Sequence, residues 1–329
     1  MDERLAALQA WLRDELGMTV VSVTAASGDA SFRRYFRVGV ADNCYIAMDA
    51  PPQQEDCRPF VAIADAMAGF GIHVPRVYEQ DLERGFLLLS DLGTRQYLGE
   101  LNSGTADRLY GDAIATLVRL QSQGPLDDGV LPPFDSARLT MEMALFRDWF
   151  LQRHLGLALA DDELEVLEAS FQWLIDNALA QPQVWVHRDY HSRNLMVTDA
   201  RNPGVLDFQD AVIGPVTYDV VSLLRDCYID WPEEALERWL GVYAQKAHDA
   251  GCLDNVAPGQ LREWFDLMGV QRHLKAIGIF ARLCHRDGKP GYLADIPRTL
   301  RYVHAVAGRY PAMAGLGRLI ETRVAPLVM

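Results

Sequence analysis

One stretch constrains this chain more than any other: Val186-His187-Arg188-Asp189-Tyr190-His191-Ser192-Arg193-Asn194-Leu195, with Leu206-Asp207-Phe208-Gln209-Asp210 a short way downstream. Between Asn194 and Asp207 lie two short apolar runs, Leu195–Val197 and Gly204–Leu206, joined by a polar turn through Asp199–Pro203. Apolar runs of this length around a Pro- and Asn-containing turn predict a hairpin. Such a hairpin brings Asn194 and Asp207 to adjoining strand ends, where two side chains distant in sequence can share one ion.

The rest of the chain predicts two kinds of region. Leu5, Leu8, Trp11, Leu12 and Leu16 recur at helical spacing up to Gly17, and Phe60, Val61, Ala64, Met67 and Ala68 mark a second helix. Val20–Thr24, Phe32–Val38, Tyr45–Met48, Val77–Glu79 and Phe86–Leu89 read as strands, the last two around a turn at Glu83–Gly85. The expected first domain, residues 1–92, is therefore a small sheet of about five strands with a helix against it. Beyond Gly93 helical periods dominate, with one long pattern over about Gly259–Cys284. The expected second domain, residues 93–329, is helical and carries the hairpin. The fold class is α+β, a protein-kinase-like bilobal arrangement of a β-rich N-terminal lobe and a larger helical lobe.

That architecture gives the opening motif a chemical meaning. Phosphoryl transfer from ATP asks for one carboxylate at the attacking hydroxyl and for ligands that hold magnesium against the phosphates. His-Arg-Asp followed five residues later by Asn, then Asp-Phe, supplies both at the required spacing. Asp189 is expected to orient the hydroxyl and accept its proton, and Asn194 and Asp207 to ligate Mg2+. His187 is expected to hydrogen-bond the loop backbone, and Asp219 to anchor a helix or brace the loop. A polar cap on a surface hairpin would not require all of these residues together.

Charge narrows the partner. The chain carries 45 acidic and 31 basic residues, a formal net charge of −14, which disfavours nucleic acid or an anionic membrane as main partner. The five cysteines are scattered without a CxxC pair, so reduced thiols are expected rather than a zinc site or disulfide framework. The Met-Asp-Glu-Arg start lacks a signal-peptide pattern, and no apolar run reaches the length of a membrane span. A cytoplasmic location is expected.

His187–Asn194, Asp207–Asp210 and Gly214-Pro215-x-x-x-Asp219-Val220 resemble the motifs of the aminoglycoside phosphotransferase (APH)-like kinase family. Leu88-Leu89-Ser90-Asp91-Leu92-Gly93 resembles its hinge, which implies that backbone groups around Ser90, Asp91 and Leu92 meet the adenine edge. Ser27–Arg37, Met48–Pro52 and Gln271–Lys275 resemble a narrower group in that family, the amino-sugar kinases of bacterial cell-wall recycling. This resemblance implies transfer from ATP to the C1 hydroxyl of N-acetylmuramic acid and N-acetylglucosamine. It also implies a sugar 1-phosphate product that passes to a uridylyltransferase. Kinases of this architecture acting on an aminoglycoside, choline or homoserine, and an inactive nucleotide-binding scaffold, are the rivals.

One departure gives the scaffold its motivation. Kinase-like enzymes place a lysine on the third strand, at the phosphates, but this strand reads Tyr45-Ile46-Ala47-Met48 and no lysine occurs before Lys246. A unit charge about 4 Å from a phosphate is worth on the order of 4 kcal/mol at an effective dielectric near 20. Another cation must supply it, and Arg33, at the end of the candidate phosphate loop (Ser27, Gly28, Ser31, Phe32), is favoured over Arg34. Glu55 or Asp56 stands where the helix glutamate of a lysine–glutamate pair belongs. Candidates for the acceptor pocket are Arg193, Asp210, Arg225, Asp226, Gln271, Arg272, His273 and Lys275. Arg272 and Lys275 share a helical face that could meet a carboxylate.

Overall fold

The computed structural model describes residues 2–27, 32–41, 43–127, 129–257 and 259–328. The chain forms two compact units: Met1–Glu100 with Asn194–Gln209, and Leu101–Arg193 with Asp210–Met329. The hairpin that the sequence assigns to the helical region thus packs within the first unit, and the first boundary lies near 100 rather than 92.

The first unit opens with helix α1 (Glu3–Ala10), capped by the Asp2 carboxylate, which accepts from Leu5 N at 3.1 Å. A wide turn over Trp11–Glu15 prolongs it, and Gly17 then takes a left-handed φ of 64°. Five strands follow: β1 (Ser22–Ser27), β2 (Arg34–Val40), β3 (Asn43–Asp49), β4 (Val77–Asp81) and β5 (Phe86–Ser90), with helix α2 (Arg58–Gly69) between β3 and β4. They pair antiparallel in the order β1-β2-β3-β5-β4. The two-residue side-chain period decides which residues meet α1. Phe36, Val38, Ala47, Phe86 and Leu88 pack against Leu8, Trp11 and Leu12. Asp49, two residues beyond Ala47, reaches the same side and receives Arg4 and Arg34. β1 runs later than the expected Val20–Thr24, and β2 begins at Arg34 rather than Phe32.

After the short helix α3 (Tyr97–Glu100) the chain enters the second unit through α4 (Ala106–Gln123), α5 (Ser136–Leu145), α6 (Asp161–Leu179) and strand β6 (Gln183–Val186). It returns to the first unit as the hairpin β7 (Leu195–Met196) and β8 (Gly204–Val205). The hairpin's backbone is satisfied by that unit. Val197 N donates to Arg95 O and Val205 N to His73 O, both at 2.7 Å, which explains its membership.

The second unit is completed by β9 (Val212–Pro215), α7 (Tyr218–Leu224), α8 (Glu233–Asp249), α9 (Gln260–Asp287), α10 (Ile296–Ala307), α11 (Ala314–Leu319) and α12 (Ala325–Val328). The β6–β9 ladder is absent from the sequence reading, because two four-residue apolar strands carry no period. Helix α9 matches the long predicted helix, bounded by left-handed Gly259 and Gly288. It is buried on most of its circumference and packs against α5, α6, α7 and α10. A Cβ at Gly278 would stand 2.4 Å from the Leu145 carbonyl carbon, so glycine permits the close approach to the end of α5.

Candidate active site

In the second unit, β6 delivers the chain into the loop that holds Asp189. Arg188 adopts a left-handed φ of 75°, a shape that needs external support in a non-glycine residue. Asp219, fully buried in the first turn of α7, provides it: its carboxylate accepts from His187 N at 2.6 Å and Arg188 N at 3.0 Å. Burial pushes the Asp219 carboxyl up to about 7, against the downward pull of those two donors. Asp219 is therefore a loop brace. Asp189 N donates to His187 Nδ1 at 3.3 Å, the expected backbone role for that imidazole. Further on, Tyr190 Oη donates to Ala113 O at 2.9 Å, and Ser192 N donates to Asp226 Oδ2 at 2.9 Å.

The loop thus fixed presents Asp189 to a cavity lined also by His191, Cys227, Tyr228, Arg272, Lys275 and Phe280. Burial alone would raise the Asp189 carboxyl. The charges of Lys275, Arg272 and Arg188 overcome it and hold the group far below the ordinary carboxylate range. The side chain stays 37 % exposed, open to an incoming group.

Beneath the loop lies a residue the sequence reading missed. Glu142, on α5, is buried and accepts from Arg188; Lys275 Nζ stands 3.1 Å from its Oε1, and Gln271 Nε2 donates to its Oε2 at 3.1 Å. Lys275 also donates to Tyr218 Oη at 3.0 Å. Glu142 occupies a core position, since Leu139, Met143 and Phe146 at helical spacing are all buried. An acid on that stripe was the available signal.

The other acceptor candidates divide. Arg272 and Lys275 line the cavity. Arg193 stacks over Tyr228 at 4.4 Å and Tyr292 at 5.5 Å. Arg225, Asp226 and His273 are not among the residues that line the cavity and are engaged by other partners. Arg225 pairs with Asp266 at 2.8 Å and lies over Phe265; Asp226 accepts from Ser192 and from Tyr228 N; His273 Nε2 meets Arg225 O at 2.9 Å and stacks on Tyr302. All three are buried. Asp210 is exposed, and its carbonyl accepts from Arg188 Nη1 at 3.3 Å.

In the first unit, the hairpin does what its spacing predicts. Asn194 Nδ2 donates to Asp207 Oδ2 at 3.2 Å, and Gln209 Nε2 donates to Oδ1 at 2.8 Å. Asp207 has a left-handed φ of 64° and Phe208 packs on Phe60 of α2 at 4.8 Å, so the aspartate is fixed from its neighbour. The carboxylate is exposed, and a turn of the Asn194 carboxamide that exchanges Nδ2 for Oδ1 would set two hard oxygen ligands side by side, a set that fits Mg2+, which keeps several waters and takes few protein ligands.

At the sheet, Arg33 Nη2 pairs with Glu55 Oε2 at 2.8 Å, whereas Asp56 pairs with Arg58. Arg34 instead turns to Asp49 and Asp2. Met48 is fully buried. In the hinge, Ser90 Oγ accepts from Arg76 N at 2.9 Å; Asp91 pairs with Arg37 at 2.6 Å and caps Gly93 N; Leu92 packs over Gly204. Phe32 is 61 % exposed. Gly28, Ser31 and the Ser27 side chain lie outside the described residues.

The model of the phosphotransferase enzyme family, APH, matches residues 22–264. A Pseudomonas putida protein named N-acetylmuramate/N-acetylglucosamine kinase is 51 % identical, covering 97 % of this chain and 96 % of its own. Proteins of the same name from Pseudomonas aeruginosa and Neisseria meningitidis are 52 % and 41 % identical, covering 90 % and 97 % of this chain and 87 % and 95 % of their own. Among solved structures, a choline kinase from Streptococcus pneumoniae superposes with a TM-score of 0.64 at 12 % identity, covering 92 % of this chain and 99 % of its own. The GDP complex of an aminoglycoside 2'-phosphotransferase gives 0.63 at 14 %, covering 93 % and 99 %. At these identities the two structures speak for the fold alone, which is protein-kinase-like. The family model and the near full-length relatives agree: this chain belongs to the APH phosphotransferase enzyme family.

Proposed function

We propose that this protein transfers the γ-phosphoryl group of ATP to the C1 hydroxyl of N-acetylmuramic acid and N-acetylglucosamine. The observation that carries the reading is the identity of about half over nearly the whole length with kinases named for those two sugars. Asp189 orients the hydroxyl in its cavity. The new bond joins phosphorus to the sugar O1, the bond from phosphorus to the bridging oxygen of ADP breaks, and the hydroxyl proton passes to the Asp189 carboxylate.

The cations around Asp189 favour an acidic acceptor. They keep the carboxylate ionised but reduce its basicity. An anomeric hydroxyl, acidified by the ring oxygen, asks less of such a base than an ordinary alcohol, so positioning dominates the rate. Asn194 and Asp207 would hold Mg2+, which when bound offsets phosphate charge. Arg33, paired with Glu55, takes the place of the strand-three lysine at the nucleotide. Ser90, Asp91 and Leu92 offer backbone groups to the adenine.

The sugar 1-phosphate is the class of substrate that a uridylyltransferase converts to a UDP-sugar, which supports a role in peptidoglycan recycling. Dependence on ATP argues for the cytoplasm, and among the described residues no helix is long and apolar enough to cross a membrane. The test is ADP release with a panel of amino sugars, aminoglycosides and choline, followed by phosphorus NMR of the product. A sugar 1-phosphate is expected. Turnover on choline or an aminoglycoside alone, or a phosphate at another hydroxyl, overturns the reading, and no turnover on any member favours the scaffold.

A further inference from the structure

The basic side chains that surround Asp189 are not equivalent. Arg188 and Lys275 share the Glu142 carboxylate, and Lys275 also donates to Tyr218 Oη. Burial pushes the His191 imidazole towards its neutral form. Arg272 differs from all three. Its Nη2 lies 3.8 Å from Asp189 Oδ1, close enough for charge attraction but beyond a hydrogen bond. Its Nε and Nη1 are buried without a hydrogen-bond partner, although the side chain is only 6 % exposed. The neighbouring Cys227 thiol, pushed up to about 11 by burial, is neutral and a weak acceptor. A guanidinium cannot shed its charge at this site. Buried donors left without acceptors are costly in a native protein and call for an explanation.

Accepting the kinase reading above, on which this rests, we propose that Arg272 binds the non-bridging oxygens of the phosphoryl group as it passes to the acceptor hydroxyl. The acceptor oxygen must come within about 2.6–3.2 Å of the Asp189 carboxylate. Phosphorus approaches that oxygen to about 3–3.5 Å before reaction. A guanidinium 3.8 Å from the same carboxylate is therefore within reach of the phosphoryl oxygens. Arg272 donates hydrogen bonds to the charge that gathers on them and transfers no proton. A carboxylate on the acceptor is the competing anion, but N-acetylglucosamine has none. A carboxylate-binding Arg272 would stay unpaired with one of the two sugars, whereas the phosphoryl group is common to both.

The test compares wild type with Arg272→Gln and Arg272→Lys. Calorimetry gives affinities for N-acetylglucosamine and for its 1-phosphate, and ADP release gives rates with each sugar and without acceptor. With Arg272→Gln, kcat is expected to fall about 10²-fold on both sugars, the effect of losing one transition-state donor. Sugar affinity should hold, affinity for the sugar 1-phosphate should fall about tenfold or more, and Arg272→Lys should lie between. Loss confined to N-acetylmuramic acid assigns Arg272 to the carboxylate and overturns the proposal. Equal weakening of sugar and sugar phosphate leaves a structural support and overturns it too. Should Arg272→Gln fail to fold, the same readings are taken on Arg272→Lys. If wild type uses neither sugar, the substrate reading fails separately. Acceptor-independent ADP release then decides: a rate unchanged in the variants removes Arg272 from the phosphoryl group.

Discussion

The two aspartates of the motif sit in contrasting surroundings. Asp189 faces Lys275, His191, Arg272 and Arg188. Asp207, in the other compact unit, receives two carboxamides, Asn194 at 3.2 Å and Gln209 at 2.8 Å. The contrast follows the tasks proposed for them. A carboxylate that orients a hydroxyl must stay ionised in a partly closed site, and fixed cations keep it so. A carboxylate meant for a divalent cation is better aimed by dipoles, because a guanidinium at the same oxygens would compete with the metal. The cations at Asp189 also lower its basicity, which makes it an orienting group more than a strong base.

Exchanging charge for shape at each aspartate is the strongest test of that contrast. Asp189→Asn should lower turnover by about 10²–10⁴-fold, the range for a lost acid–base group, with an unchanged magnesium requirement. Asp207→Asn should instead weaken magnesium by at least the roughly 10–100-fold that loss of a supporting outer-shell group costs, so raising magnesium recovers part of the lost ADP release. A chelator should abolish turnover in wild type. If both variants shift the magnesium titration alike, the division of labour is wrong.

Glu142 sharpens the Asp189 side. Glu142→Gln keeps the shape but leaves Arg188 and Lys275 without their shared carboxylate. Breaking a buried pair in this way costs about 3–5 kcal/mol, measurable by urea unfolding at pH 7. Burial would raise the Glu142 carboxyl, but Lys275 and Arg188 hold it below its ordinary value of 4.5. Its stabilising contribution is therefore present above pH 4.5 and lost as pH falls through the lowered folded-state value. Wild type should lose this stability in acid, and Glu142→Gln, which never had it, should show a shallower acid slope.

How legible these parts were in the sequence depends on how local they are. Asp189, Asn194 and Asp207 lie within one loop and hairpin, so linear spacing almost fixes their geometry. The five strands and long helix were legible because period and turn chemistry are also local. Glu142 meets Arg188 across 46 residues of sequence, and no spacing reveals that. The Gln271–Lys275 run has the composition of a solvated helix face, yet it is buried because α5 and α7 bring Glu142 and Tyr218 to its charges. Arg225 and His273 resembled pocket residues for the same reason, and their partners Asp266 and Tyr302 became visible only in three dimensions. The β6–β9 ladder went unread because its strands are too short to show a period.

The smallest expected effect concerns the cation on the Asp207 side. Arg33 and Arg34 are adjacent and chemically identical, so any difference between their variants comes from placement. Arg34 is committed to Asp49 and Asp2, on the side of the sheet where Arg4 of α1 also reaches Asp49. Arg33 is held by Glu55, the acid that precedes α2, much as the missing lysine would be held by a helix glutamate. Arg33→Ala should raise the Michaelis constant for ATP about tenfold, equivalent to ~1.4 kcal/mol, with little loss of stability. Arg34→Ala should leave that constant within about twofold and lower the unfolding midpoint instead, because the buried Asp49 loses one of its two arginines. Equal small effects on ATP would defeat the relocated cation and leave Met48 uncompensated. A larger ATP effect from Arg34 would mean that the arginine facing α1 in this structure is the one that serves the nucleotide.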